Sequence, residues 1–389
     1  MTMQYADPIQ PQIDVNDYLR LETQRVGSAT VTWASGTDTA PSVASSRFQL
    51  PKVGIAHRLY LDIDGGSATA FDLTVGAGSS AVAANGQGPW GIIGGLALRV
   101  NGSSGWFDVS AFGAYLLNNA EDASAFPRDA IGTAYTTAPT DVASTIFDYP
   151  IVDGRPRFGL EIPISVSATN PLGMLLLQND QTTVELEVRW ASLSNYALLA
   201  GGAVATLSLT LSVVLEYFDV PPRDAFVAFF LPLLRWGHWW VEERQDVTAS
   251  GRDANIVSLD NHDTYLRVLH TVTLNSVLNT DAIEAVRFIL NRQTYLYDHD
   301  DATQLRMQRT NTGGKDLPAF IWDFFSAGTL RDAIHADAYT DIRSVVDVVS
   351  GSTLGASAFI RTASEKLVDL GDPLAGNVAV PANSVQPRA

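Results

Sequence analysis

The chain has 389 residues, enough for two ordinary domains or for a duplicated architecture of about 200 residues per copy. Hydrophobic residues make up 46% and charged residues 17%, the balance of a well-cored globular protein and not of a disordered one. A net charge of -17, with no local excess of Lys and Arg to offset it, argues against nonspecific nucleic-acid binding, and the absence of cysteine excludes disulfides, thiolate metal sites and cysteine nucleophiles.

Residues 1–26 read as an N-terminal arm. Met1 to Pro11 is polar and lacks the basic and apolar regions of a signal peptide. A short helix is predicted over 15–26, with Val15, Leu19 and Val26 on one face and Asp14 as its cap. From 27 to 219 the apolar runs are short and bounded by Gly, Pro, Asn, Ser or Asp. Strands are expected at 30–33, 46–50, 58–63, 69–75, 96–100, 146–149, 158–167, 183–190 and 203–217, the spacing of a sandwich or jelly roll.

Two segments carry the clearest strand signal. Val184, Leu186, Val188 and Trp190 alternate with Thr183, Glu185, Glu187 and Arg189, the two-residue period of a strand with one buried face. The longest uncharged run, 197–215, approaches membrane-spanning length. Its second half marks it as a strand, because Leu207, Leu209, Leu211 and Val213 alternate with Ser and Thr. Asn101-Gly102 is a tight-turn signal, followed by a predicted helix over 106–119 with Phe107, Ala111, Ala114, Tyr115 and Leu116 on its apolar face.

Pro221-Pro222 marks a stiff linker at 220–223, since neither residue can donate a ladder hydrogen bond. The second half, 224–370, repeats the grammar of the first. Strands are expected at 225–234, 265–275, 285–290, 304–309, 344–349 and 356–361. A helix is predicted over 317–336 with Phe320, Ile321, Phe324, Phe325 and Leu330 on one side, and the Pro- and Ala-rich tail, 371–389, reads as extended. The fold class is therefore mainly β: a double jelly roll of two eight-stranded β-sandwiches in tandem, each with an inserted helix.

Candidate chemistry is sparse. Gly86-Gln87-Gly88-Pro89-Trp90-Gly91 matches a dinucleotide-binding glycine pattern but has no apolar strand before it, and Pro89 removes an N–H that would face phosphate, so it reads as a loop. Asp298, Asp300 and Asp301 around His299 offer oxygen ligands for a divalent cation, without the regular ligand spacing and Gly of a calcium loop; an acidic exposed loop is the plainer reading. The six histidines show no metal-binding spacing, and no GxSxG nominates a nucleophile. Trp236, Trp239 and Trp240 with Tyr265 suit sugar stacking or, equally, an aromatic interface or core edge. No cofactor is implied.

Four stretches in order resemble one family. They are Gly88-Pro89-Trp90 through 96–100 to Ser104-Gly105-Trp106; 160–190 with Pro163, Asn170 and Gly173; Phe230-Leu231-Pro232-Leu233 after the linker; and 269–297 with the helix at 317–336. This pattern resembles the double jelly-roll major capsid proteins of tectivirus-like, tailless, icosahedral bacteriophages with an internal membrane. The resemblance implies a structural, non-enzymatic protein of the virion shell, present in host cytoplasm before assembly. Three subunits would make a pseudo-hexagonal capsomer whose partners are further capsomers, penton and minor capsid proteins and an internal lipid membrane, with no direct nucleic-acid binding. It nominates Trp106, Phe107, Trp236, Trp239, Trp240, Phe324 and Phe325 as intersubunit contacts and Arg20 and Arg25 of the N-terminal helix as membrane-facing. The alternatives are a jelly-roll glycan-binding spike or adhesin and a double jelly-roll hydrolase with paired carboxylates in a cleft.

Overall fold

The computed structural model describes residues 20–34, 36, 38–65, 82–84, 88–121, 151–152, 155–166, 172–178, 182–195, 197–199, 207–223, 226–274, 277–279, 282–291, 294–300, 303, 319–325, 330–352, 354 and 357–370. The first half contributes β1 (Leu21–Trp33), β2 (Ser45–Gln49), β3 (Ile55–Asp64), β4 (Val82–Ala84), β5 (Ile93–Val100) and β6 (Ser103–Val109). The helix α1 (Ala111–Glu121) follows, then β7 (Ile151–Val152), β8 (Arg155–Pro163), β9 (Leu175–Leu176), β10 (Val184–Trp190), β11 (Ala197–Leu199) and β12 (Leu207–Phe218). The second half holds β13 (Trp236–Asp246), β14 (Gly251–Leu259), β15 (Thr264–Leu274), β16 (Val277–Leu278), β17 (Ile283–Leu290) and β18 (Thr294–Asp300). It closes with β19 (Phe320–Asp323), β20 (Ile334–His335), β21 (Ile342–Val348) and β22 (Phe359–Asp369).

The two sandwiches are not separate. One sheet runs β1-β12-β3-β8-β7, with β9 against β3, and a smaller one runs β14-β21-β17-β18. Between them a ten-stranded sheet runs β16-β15-β22-β13-β6-β5-β10-β2, so strands of both halves share one ladder, joined where β13 pairs parallel to β6 at Trp240–Phe107 and Val241–Asp108. Phe107, Trp240, Leu269, Ile321 and Ala363 turn one face of this sheet into the first core. Val268, Val272, Phe320, Trp322 and Ile360 turn the opposite face into the second. Each sandwich thus takes one side of a common wall.

The alternating segments form the expected strands. Leu207, Leu209, Leu211 and Val213 point into the first core while Ser208, Thr210 and Ser212 stay half-exposed, because β12 has water on one side only. Asn101 and Gly102 both adopt positive φ, 51° and 82°, the geometry of a two-residue turn joining β5 to β6. No helix among the described residues is long and apolar enough to cross a membrane.

Four expectations fail, each for a physical reason. The second inserted helix is absent where the structure describes 319–325 and 330–338: Phe320–Asp323 is a strand on β15, and its consecutive apolar residues serve two cores, which imitates a helical face. The first helix starts only at Ala111, because Trp106 and Phe107 belong to β6 and Ser110 caps the helix by accepting from Gly113 N–H at 3.0 Å. Instead of a strand, the run after the linker forms a π-helical turn, Phe226–Phe230, closed by Leu231 N–H on Phe226 O at 2.9 Å. There Phe226, Phe230, Leu231 and Leu234 bury one helical face against Ile55, Met174, Leu176 and Phe218. Finally, 21–26 is not helical: Leu21 to Trp33 pairs with β12 along its length, a ladder that overrides local helix propensity. The strands expected at 69–75, 146–149 and 304–309, the first part of the predicted N-terminal helix and the tail lie outside the described residues.

Candidate functional site

The feature that distinguishes this architecture is the junction where the halves share a sheet. The Phe107 and Trp240 rings stack at 5.3 Å across the parallel β6–β13 step. Beside them Glu242 of β13 reaches the start of α1, where the Ser110 N–H and hydroxyl both donate to its Oε2 at 2.9 and 2.6 Å. Arg361 of β22 donates to Oε1 at 3.2 Å. A carboxylate from the second half therefore satisfies the free end of a first-half helix, where the helix dipole favours negative charge.

Below this lies a fully buried charged cluster. Arg267 Nη1 donates to Glu365 Oε2 at 2.5 Å, and Arg267 Nε lies 3.3 Å from Asp323 Oδ1. His238 Nε2 lies 2.9 Å from Glu365 Oε1 and also receives the Trp240 indole N–H at 3.1 Å. One ring nitrogen cannot donate to the carboxylate and accept from the indole at once, so His238 stands between two hydrogen-bond arrangements. Burial pushes the Glu365 carboxyl up, but Arg267 and His238 outweigh it and hold the group down at about 2. Burial raises the Asp323 carboxyl, with Arg267 opposing. The first half closes over this cluster through Gly173, at φ 84°, where a Cβ would lie 2.2 Å from that of His238. A buried network of this kind is costly to break and fixes one arrangement of the elements it joins.

On the face of the shared sheet opposite the first core, β10 carries Glu185, Glu187 and Arg189. There Glu187 lies between Arg47 and Arg99, 3.2 and 2.5 Å away, and Arg189 pairs with Asp108 at 2.5 Å. Burial raises the Glu187 carboxyl, but the two arginines carry it below the ordinary range. Trp239 and Val241 of β13 lie half-exposed on this same side, and Trp106 of β6 is half-exposed as well.

The predicted contact residues divide accordingly. Phe107, Trp240, Phe324 and Phe325 are buried within the chain and are core residues, a correction to their assignment as intersubunit contacts. Trp106, Trp236 and Trp239 remain half-exposed. Arg20 and Arg25 are exposed, but on and beside strand β1 and not on a helix. Asp298 and Asp300 belong to β18, not to an acidic loop, with the His299 ring turned against Trp322 at 4.8 Å; Asp301 lies outside the described residues. No group of three metal-ligating side chains occurs among the described residues. Sequence reasoning missed Glu242, His238, Arg267, Glu365 and the role of Gly173.

Two constellations carry the residue types of nucleophilic catalysis. Ser165 Oγ lies 2.5 Å from His57 Nδ1, whose Nε2 is 3.7 Å from Glu216 Oε2. His270 bridges the two sheets of the second sandwich, with Thr362 Oγ1 at 2.9 Å and Ser344 Oγ at 2.7 Å. Ser165, Ser344 and both histidines are wholly buried, so no substrate can meet either hydroxyl, and burial lowers the imidazoles to about 4 for His57, with Arg58 adding to it, and about 3 for His270. They are internal polar bridges.

No protein-family model and no curated protein sequence matches this chain. Solved structures do. The chain is similar to the MCP of STIV at 14% identity and a TM-score of 0.60, over 93% of this chain and 100% of that one. It is similar to the structure of Sulfolobus Turreted Icosahedral Virus at 14% identity and a TM-score of 0.64, over 94% and 95%. It is also similar to the PBCV-1 virus capsid at 9% identity and a TM-score of 0.53, over 90% and 94%. In fold, then, this chain is a double jelly roll of the kind found in viral major capsid proteins.

Proposed function

We propose that this chain is the major capsid protein of an icosahedral virus, a non-enzymatic structural subunit of the virion that assembles as trimers to tile the shell. The observation that carries the reading is the structural match, at a TM-score of 0.60, over 93% of this chain and 100% of the STIV MCP, which takes in both halves. A subunit with two sandwiches gives a trimer six similar walls, which lets one gene product occupy six-coordinated lattice positions. The wall must be stiff for that: the Glu242 clamp ties the second half to the first, and the Arg267–Glu365–His238 cluster locks β13, β15 and β22 of the second half together.

In this reading 27–219 and 224–370 are the two jelly rolls, joined by the linker at 220–223. The half-exposed Trp106, Trp236 and Trp239 lie at subunit contacts, where aromatic side chains contribute most. Its partners are copies of itself, penton and minor capsid proteins, and an internal membrane reached by residues 1–26 and by Arg20 and Arg25. Cryo-electron microscopy of the purified protein tests the reading: pseudo-hexagonal three-subunit particles support it, and isolated monomers at all concentrations contradict it.

A further inference from the structure

We propose that Lys366 and Asp263 condense to an intramolecular isopeptide bond within the second sandwich. Lys366 Nζ lies 2.5 Å from Asp263 Oδ2, and the two side chains are only 10% and 8% exposed. Lys52, by contrast, is exposed. The chain has just three lysines, with Lys315 the third, so a buried one is a conspicuous use of the residue.

The setting has what amide formation between side chains needs: fixed partners and little water. Lys366 stands on β22, flanked across the ladder by Trp239 on β13 and by Tyr265 on β15, whose ring centroid is 6.0 Å from Nζ. Asp263 sits in the bend immediately before β15, where its carbonyl accepts the Ala336 N–H at 2.9 Å. Both reacting groups are thus carried on hydrogen-bonded backbone, which replaces a bimolecular encounter with a held contact. Beside the Tyr265 ring, and with both side chains nearly buried, the contact holds little water to reverse a condensation.

The step balances without a further reactant. The ammonium proton passes to the Asp263 carboxylate. The Nζ lone pair then forms a bond to Cγ, the C–OH bond breaks, and the hydroxyl leaves as water with a second proton from Nζ. The product is a neutral secondary amide, and nothing is oxidised or reduced. The bond would staple a central strand of the shared sheet to the segment entering its neighbour and close a long loop of chain, independently of any capsid role.

Mass spectrometry of the denatured full-length protein is the test. The expected result is a chain lighter than its sequence by one water. Because an amide-bound Lys366 resists trypsin, a branched peptide should join residues 253–267 to 362–388, with fragment ions placing the link on Asp263 and not on Asp253 or Asp260. Lys366→Arg should restore the full sequence mass. The proposal is overturned if the native chain has its full sequence mass and yields 253–267 and 362–366 as separate peptides. It is equally overturned if the loss of water persists in Lys366→Arg, which would place the dehydration elsewhere.

Discussion

Replacing Gly173 by alanine tests whether the junction is as closely packed as its geometry implies. Gly173 has φ 84°, and a Cβ there would lie 2.2 Å from His238 Cβ, 2.8 Å from its backbone nitrogen and 3.0 Å from its Cα, so the strand itself would have to move. Gly102 is the natural control, because its φ is 82° and nothing lies within 4 Å of the added atom. The left-handed backbone alone costs about 1–2 kcal/mol for a residue with a Cβ. Overpacking against fixed backbone adds about 1–3 kcal/mol. Gly102→Ala should therefore lose about 1–2 kcal/mol and Gly173→Ala about 2–5 kcal/mol, the unfolded-state gain of alanine being common to both. Scanning calorimetry of the two variants and the parent, at one protein concentration and scan rate, reads the difference. Equal shifts in Tm for the two variants would refute the close approach of the first half to β13.

Three further outcomes follow from the same geometry. Glu242→Ala strips the Ser110 N–H and hydroxyl of their acceptor and should cost about 1–3 kcal/mol, with faster amide exchange across α1. Glu242→Gln, which keeps an acceptor, should recover part of that protection, and unchanged exchange in both variants would contradict the clamp. Acid should destabilise the fold in two ranges. His57 and His270, held at about 4 and about 3 against an ordinary 6.5, contribute stability that is intact above pH 6.5 and lost as pH falls toward those values. For His57 the shift corresponds to about 3 kcal/mol. Glu365, held at about 2, adds a loss below its unfolded value of 4.5. Unfolding midpoints between pH 7 and 4 should fall less steeply in His57→Gln than in the parent, and parallel curves would count against a neutral buried His57.

What could be read from the sequence was whatever had water on one side. β10 and β12 announce themselves because Val184, Leu186, Val188 and Leu207 to Val213 alternate against polar neighbours, and the Asn101-Gly102 turn because only those residue types take its backbone readily. Strands buried on both faces lose that period. Phe320–Asp323 looks helical for this reason, and β13, which begins Trp-Gly-His-Trp-Trp, is hidden inside an aromatic run that also includes a π-helical turn. The junction leaves no local trace at all. Glu242 meets Ser110 from 132 residues away and His238 meets Glu365 from 127, so neither carboxylate can be told from a surface acid until the shared sheet brings them together. Likewise, Phe107 and Trp240 read as interface aromatics, since what covers them is the other half of the same chain.

The mass of the purified protein in solution tests most directly whether three subunits form one shell unit. Light scattering at two concentrations, with and without EDTA, should give a particle three times the 41.8 kDa chain that persists on dilution. A monodisperse monomer at both concentrations would contradict the capsomer account.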